Sequence, residues 1–275
     1  MEETKKTLTR RGFLKTAGAT AAVAGLATGG AALTPWSAEA ATLPKKWDET
    51  VDVVVIGSGF AGLAAAYEAK KAGASVIVLE KMRTPGGNSI INGGVVSAAG
   101  SPKEKEQGIG DSPELLLKDM LTAGLYLNHV ELAKMVAEQS WPTVLWTIDE
   151  LGVKYKDKLS QEGGHSVPRM YSTYNQSGSA IVQQQLAKLK ELGVQPKLQS
   201  YLTQLYRDAD GRVKGVQIRE KYVFPKADSG RLKNIKARKA VVLAHGGFGN
   251  DVAFRTIQDP RLTAEFPSTN QPGAT

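Results

Sequence analysis

Three glycines and one acidic residue have the types and spacing of a nucleotide-binding site. Gly57, Gly59 and Gly62 form the pattern Gly-x-Gly-x-x-Gly, and Glu80 follows roughly twenty positions later. The first glycine permits a tight turn, the second lets a pyrophosphate approach the backbone, and the third lets a helix pack closely on a strand. A carboxylate at the position of Glu80 accepts hydrogen bonds from the hydroxyl groups of an adenosine ribose. The spacing therefore predicts that the chain binds a dinucleotide.

The residues around this pattern predict the elements that position it. Residues 51–56 (VDVVVI) are typical of a strand buried on both faces, and the alanine-rich residues 63–72 predict a helix. Residues 75–79 (SVIVL) predict a second buried strand that ends next to Glu80. A helix that begins near Ala61 and Gly62 offers free N–H groups and a positive dipole end to phosphates. The alternative, a glycine-rich turn that arose by chance, would lack this order of strand, turn, helix, strand and acid.

A second glycine-rich segment favours FAD over NAD as the dinucleotide. Gly86, Gly87, Asn88 and Ser89 are followed by a further pair, Gly93 and Gly94, where a nicotinamide-binding domain normally continues into another strand and helix. Small residues let the backbone wrap closely around a pyrophosphate and a flavin ring. A flexible loop and an NAD-dependent enzyme remain the alternatives at this stage.

Residues 1–40 are predicted to be an export signal and not part of the fold. Arg10 and Arg11 lie in a twin-arginine pattern, residues 17–33 form a weakly apolar stretch, and residues 38–40 (AEA) are typical of a cleavage site. The stretch is too short and too rich in glycine to span a membrane well, so no stable membrane span is expected after its removal. We therefore expect a bacterial periplasmic protein whose residues 41–275 are an FAD-binding segment.

Composition excludes several classes of function. The chain of 275 residues has no cysteine, which excludes disulfides, cysteine-ligated metal centres, a thiol nucleophile and covalently attached haem on this chain. The net charge of +8 comes from basic residues scattered among acidic ones, with few aromatic side chains, so nucleic acid is not expected as a partner. No pattern predicts a metal site.

The remainder of the chain predicts further helices and an antiparallel meander. Helices are expected from Ser112, over residues 129–151 and over residues 177–192, and strands over residues 197–207, 213–224 and 233–243. Between them lies a loop with His165 and Arg169, and a guanidinium there has the geometry to bind a substrate carboxylate. Arg169 is therefore a substrate-proximal candidate, and the alternative is a structural residue with satisfied partners.

These stretches together resemble the flavoprotein subunit of the fumarate reductase/succinate dehydrogenase group, in particular the periplasmic flavocytochrome c-type reductases. The similar segments are VVVIGSGFAGLAAAYEAKKAGASVIVLEK, PGGNS with the later NGG, DGRVKGV with the later KAVVLAHGGFG, and STNQPGAT. The resemblance implies an α/β, glutathione reductase-like FAD-binding Rossmann fold with a parallel sheet, helices and an extra antiparallel β meander. It also implies reduction of an activated C=C bond next to a carboxylate, as in fumarate, methacrylate or urocanate.

The resemblance implies a role for individual residues. Four residues of the first turn would contact the pyrophosphate, Glu80 would bind the adenosine ribose, and Leu202 would lie near the adenine. The second glycine-rich segment would line the pyrophosphate and the flavin ring, with Gly94 also near the substrate. The residues of the first turn are Gly57, Gly59, Ala61 and Gly62, and those of the second segment are Asn88, Ser89, Gly93 and Gly94. The chain departs from many relatives at His245, where they have alanine or glycine, and at Gln271, where they often have histidine.

Relatives of this kind would continue beyond Thr275 with a capping domain and the rest of the nucleotide domain, so the fold is expected to be incomplete at its C-terminus. The catalytic acid and the substrate-binding residues would lie there, and no catalytic residue is assigned to this chain. Hydride would pass from the flavin N5 atom, with electrons from a separate cytochrome or quinol-linked donor. The alternatives are a non-catalytic or split flavin-binding subunit that needs a companion chain, and a flavin dehydrogenase of ring ketones such as steroids.

Overall fold

The computed structural model describes residues 43–275, and the predicted export signal lies outside them. The strands are β1 (Glu49–Ile56), β2 (Val76–Leu79), β3 (Val95–Ser97), β4 (Met170–Ser172), β5 (Ser200–Arg207), β6 (Val213–Glu220) and β7 (Arg231–Leu243). The helices are α1 (Phe60–Lys71), α2 (Gly87–Ile91), α3 (Pro102–Glu106), α4 (Pro113–Ala123), α5 (Val130–Asp149), α6 (Ser179–Glu191) and α7 (Val252–Gln258). None of the helices in this part of the chain is both long and apolar enough to cross a membrane.

A five-stranded sheet with the order β2-β1-β7-β6-β5 organises the fold. β1 pairs in parallel with β2 on one side and with β7 on the other. β7, β6 and β5 pair in antiparallel fashion, so the parallel sheet and the meander are both present, as predicted. The meander is not a separate layer, however, because the 13-residue strand β7 belongs to both parts of one continuous sheet.

Residues 53–56 (VVVI) at the end of β1 are buried on both faces, which explains their uninterrupted β-branched sequence. Val53 and Val55 pack against α1 and α6, in a cluster with Leu63 and Val182. The alternate residues of β1 contact the other side of the sheet, where the cluster consists of Val51, Val54, Ile56, Ile77, Leu79, Val216, Ile218, Ile235 and Ala237. Each fully buried aliphatic side chain stabilises the fold by about 1.5–3 kcal/mol. The nucleotide motif therefore stands on the most deeply buried strand.

Two strands of the meander are shorter than the sequence predicts. Residues 197–199 do not join β5, because Lys197 bridges to Leu79 at the end of β2 and Gln199 has a left-handed backbone (φ 55°). β6 ends at Glu220, where Lys221 is also left-handed (φ 61°) and interrupts the ladder. The first deviation brings the start of β5 next to the end of β2, which positions residues 200–202 at the site described below.

A second, two-stranded sheet lies apart from the main sheet and contacts the helices α1 and α6. β3 and β4 form an antiparallel pair that packs, with α5, around Tyr171 and Trp141. The predicted start of α4 is confirmed, because the Ser112 side chain accepts a hydrogen bond from the N–H of Leu115 and a proline follows it. Part of the second glycine-rich segment, expected to be a loop, forms the short helix α2.

Candidate functional site

A cavity of about 570 Å³ opens at the carboxyl ends of the parallel strands. This is the edge at which α/β sheets bind their ligands. Six stretches of the chain line it, namely residues 56–61, 79–82, 87–89, 200–202, 244–247 and 271 with 273–275. The cavity therefore draws on both glycine-rich segments, on β5 and on the residues that follow β7.

The turn after β1 requires glycine at two positions. Gly57 has a left-handed backbone (φ 99°), its N–H donates to the Leu79 carbonyl (2.8 Å), and a Cβ atom there would collide with the Ala244 carbonyl. A Cβ atom on Gly62 would collide with the Gly57 carbonyl. The two glycines thus hold α1 close to β1, as the motif predicts, and Gly62 lies behind the turn and not on the cavity wall.

The N-terminus of α1 faces the cavity with properties that suit a phosphate. Gly59 is the N-cap residue, has no side chain to satisfy the first turn, and lines the cavity together with Ala61. The first turn of α1 contains no acidic residue. One N–H, that of Phe60, is bonded to the Ser89 hydroxyl (3.0 Å). Helix geometry leaves the next N–H groups without a carbonyl partner inside the helix, so an anion is stabilised at this point.

Glu80 lies on the cavity wall in a fixed orientation. It is 7% exposed, and its Oε2 atom accepts hydrogen bonds from the Ser58 hydroxyl (2.6 Å) and the Ser58 N–H (3.2 Å). Its Oε1 atom accepts from the N–H of Met82 (2.8 Å). A carboxylate has about four lone-pair positions, so these contacts leave it able to accept further hydrogen bonds from a ribose.

Asn88 joins the second glycine-rich segment to the end of the chain. Its Nδ2 atom donates to Asn270 Oδ1 (2.6 Å), and its Oδ1 atom accepts from the N–H of Gln271 (2.7 Å). Asn88, Ser89 and Gln271 all line the cavity. Residues almost two hundred positions apart therefore form one wall, and the side chain of Asn88 is engaged with protein groups on both of its atoms.

Leu202 lines the cavity near Tyr201 and Lys81. The Lys81 ammonium lies 5.8 Å from the centre of the Tyr201 ring and donates to the carbonyl and hydroxyl oxygens of Thr275 (2.9 and 2.8 Å). Burial lowers the pKa of Lys81 below its ordinary value. An aromatic ring, a leucine and a cation at this wall are suited to a heteroaromatic base.

Sequence reasoning did not assign several residues that the structure brings to the cavity. Ser58 was hidden as a variable position of the glycine pattern. Of residues 244–247, only His245 was considered, as a departure from relatives that would pack against the flavin. Ala244 continues β7 by donating its N–H to the Ile56 carbonyl (2.8 Å). Since β7 lies directly beside β1, the residues after both strands meet at the same edge.

Gly93 and Gly94 do not line the cavity. Gly94 has a left-handed backbone (φ 65°) and packs against Thr173 and Ser177, where a Cβ atom would collide. Its N–H is bonded to Asn92 Oδ1 (2.7 Å). In this structure Gly94 therefore has a packing role, whereas Gly93 has open space around it. The predicted contact of both glycines with the flavin, and of Gly94 with the substrate, stays a prediction.

Arg169 is not available to a substrate carboxylate in this structure. Its side chain is fully buried and forms two hydrogen bonds to Asp111 (both 2.7 Å) and one to Asp119 (2.5 Å), and His165 Nδ1 lies 2.9 Å away. Burial opposes its charge, but the two aspartates outweigh that effect and raise the pKa of Arg169. The guanidinium is outside the cavity, and the structural alternative fits it better than the substrate-proximal role.

Within residues 43–275 no group of three or more histidine, aspartate or glutamate side chains has the arrangement of a metal site. The three histidines lie apart in the fold, at the start of α5, beside Arg169 and on the cavity wall. The chemistry that the cavity supports is therefore the binding of an extended nucleotide by helix dipole, carboxylate, amide and small residues.

Comparison with known proteins supports this assignment. A family model described as an FAD binding domain matches residues 52–275. The acrylate reductase flavoprotein subunit of Shewanella woodyi is 43% identical over 272 residues, which cover 98% of this chain and 52% of that protein. Among solved structures, the open conformation of a flavocytochrome c3 fumarate reductase is similar with a TM-score of 0.76 and 29% identity, over 99% of this chain and 43% of that one.

A second similar structure belongs to an enzyme with a different named activity. The 3-ketosteroid-delta4-(5alpha)-dehydrogenase from Rhodococcus jostii RHA1 has a TM-score of 0.72 and 26% identity, over 86% of this chain and 53% of that one. The chain thus spans about half the length of the proteins that it matches.

Proposed function

The chain belongs to the FAD-binding-domain family, with FAD as its cofactor, and from that premise we propose that it serves a reductase that saturates the activated C=C bond of a small unsaturated carboxylate. The observation that carries the proposal is the 43% identity to an acrylate reductase flavoprotein subunit over almost the whole chain. The similarity to a fumarate reductase structure supports the same class of substrate.

The residues of the cavity fit an extended FAD. Reduced FAD supplies a hydride from its N5 atom when it is bound. The free N–H groups of Gly59, Ala61 and the first turn of α1 would hold the pyrophosphate, and Glu80 would accept hydrogen bonds from the adenosine ribose. Leu202 would lie near the adenine. Asn88 and Ser89, in the second glycine-rich segment, would line the pyrophosphate and the flavin ring.

The substrate, the electron donor and the cellular compartment are further parts of the proposal. A separate cytochrome or quinol-linked donor supplies electrons, because a chain without cysteine holds no covalent haem of its own. A companion chain is consistent with the relative being named a subunit. Export through the twin-arginine route to the periplasm follows from residues 1–40.

The test is reoxidation of the reduced protein by candidate acceptors. The purified chain, loaded with FAD and reduced by viologen under anaerobic conditions, is mixed with acrylate, methacrylate, fumarate or urocanate, with propionate as the saturated control. Return of the oxidised flavin absorption with an unsaturated acid, and none with propionate, supports the proposal. Reduced flavin that persists with all four acids, although a steroid ketone with a C=C bond conjugated to its carbonyl restores the oxidised form, would favour the ring-ketone dehydrogenase.

The ring-ketone alternative is kept because of the similarity to the ketosteroid dehydrogenase. If neither class of acceptor reacts but FAD remains bound, the non-catalytic subunit is favoured. Addition of the natural electron-donor chain then shows whether a companion is needed for turnover.

A further inference from the structure

One buried hydroxyl connects the two glycine-rich segments of the cavity. Ser58 is 1% exposed, and its Oγ atom donates to Glu80 Oε2 at 2.6 Å while accepting from the N–H of Gly86 at 2.9 Å. A serine hydroxyl has one proton, and this pair of contacts fixes where the proton points. The variable position of the glycine pattern therefore carries a specific polar function.

The contact with Glu80 is charge-assisted and buried, which makes it strong. A short hydrogen bond from a hydroxyl to a carboxylate is about twice as strong as a bond between neutral groups. The N–H of Ser58 donates to the same oxygen atom. Met82, on the other side, holds the second oxygen atom through its N–H. The carboxylate plane is thereby set before any ligand arrives, which removes an ordering cost from binding.

We propose that Ser58 is a positioning residue for the adenosine ribose, acting through Glu80 and not by contact with the cofactor. The inference rests on the proposed placement of the ribose at Glu80. Alanine at this position keeps the backbone contact but removes the hydroxyl, so the carboxylate gains rotational freedom. The N–H of Gly86 loses its partner in the same variant.

The experiment compares three ligands on the full chain freed of flavin. FAD and ADP carry the adenosine ribose, whereas FMN lacks it. Ser58→Ala is expected to raise the Kd for FAD and for ADP about tenfold, the change for loss of one hydrogen bond to a charged group, and to leave the Kd for FMN unchanged. Equal loss of affinity for all three ligands, or unchanged affinity for ADP, would overturn the inference.

A double-mutant cycle distinguishes positioning of the Glu80 carboxylate from a general destabilisation of the cavity. In a Glu80→Gln background, the added Ser58→Ala change is expected to alter the ADP affinity less than twofold, because the group that it positions is gone. Full additivity of the two changes contradicts the proposal. Ser58→Thr, which keeps the hydroxyl, is expected to retain most of the ADP affinity that Ser58→Ala loses.

Ser140→Ala is the matched control. Ser140 is also a buried serine with two hydrogen bonds, to Ala99 and Ala137, but it does not line the cavity. Its alanine variant is expected to lower the melting temperature of the protein and leave the ADP affinity unchanged. Every measurement of the Ser58 proposal is a binding affinity. If the wild-type chain binds FAD but reduces no unsaturated acid, that result contradicts the proposed function and leaves the test of Ser58 unaffected.

Discussion

Glu104 gives the protein a stability that depends on pH near neutrality. The residue is 1% exposed on α3, its Oε2 atom accepts from the N–H of Ser101, and its other oxygen atom has no donor within reach. Burial, and then the neighbouring carboxylate of Asp111, raise the pKa of Glu104 from 4.5 to about 7. Asp111 forms a buried ion pair with Arg169, and the raised pKa makes Glu104 the group of this cluster that binds a proton near neutral pH.

The sign of the effect follows from the raised pKa. A carboxyl group that binds its proton more tightly in the folded state contributes stability fully below its ordinary pKa, and this contribution is lost as pH rises through about 7. One pKa unit corresponds to about 1.4 kcal/mol, so the folded state loses about 2 kcal/mol between pH 5 and pH 8. For a chain of this size, that is a fall in melting temperature of about 4–8 °C.

Glu104→Gln isolates this contribution. Glutamine keeps the acceptor for the Ser101 N–H, so the capping box of α3 survives, and its amide can donate to Asp111 as the protonated acid does. The assay is urea unfolding of wild type and variant at pH 5, 6, 7 and 8. We expect equal stability near pH 5 and a variant about 2 kcal/mol more stable at pH 8. The comparison cancels the titration of the histidines, which both proteins share.

Glu106→Gln serves as the control, because Glu106 lies on the same helix with an exposed side chain. Its unfolding curve is expected to follow that of the wild type at every pH. The reasoning is refuted if the wild type and Glu104→Gln keep a constant difference in stability from pH 5 to pH 8.

Three further predictions concern the glycine turn, the buried arginine and export. Gly62→Ala places a methyl group against the Gly57 carbonyl and is expected to abolish FAD retention and lower the melting temperature. Gly110→Ala, at a position with open space around it, is expected to change neither. Flavin absorbance measures FAD retention, and thermal unfolding measures the melting temperature. Arg169→Met leaves two aspartates without their cation and is expected to destabilise the fold by about 3–5 kcal/mol in urea unfolding. An unchanged Kd for FAD in the folded fraction would agree with its position outside the cavity. Replacing Arg10 and Arg11 together by lysine keeps the charge and is expected to retain the precursor in the cytoplasm on cell fractionation.

The parts of the site that could be predicted are formed by residues that lie close together in the sequence. Gly57, Gly59 and Glu80 lie within one strand–helix–strand unit, whose geometry follows from hydrophobic runs and glycine spacing. Leu202, assigned from the resemblance, also lies at the cavity. Ser58 could not be singled out, because its value depends on two partners that only the folded turn brings together.

The parts that could not be predicted depend on topology over long distances. Residues 244–247 reach the cavity because β7 inserts beside β1, and neither periodicity nor composition encodes that strand order. The role of Arg169 is decided by Asp111 and Asp119, which lie more than forty positions earlier and have no motif in common with it. The sequence does not show whether Arg169 is buried. An exposed guanidinium in the same loop would be available to a ligand, whereas the buried one is paired with the aspartates.

The position of β7 in the sheet also governs when the protein becomes able to take up its cofactor during synthesis. β1 is made early, but its second neighbour is completed only at Leu243, almost two hundred residues later. Until then one edge of the most buried strand stays open, and a contact this distant in sequence forms slowly. The wall made by residues 244–247 emerges later still. FAD capture is therefore expected only after translation has passed residue 247, once β7 has paired with β1.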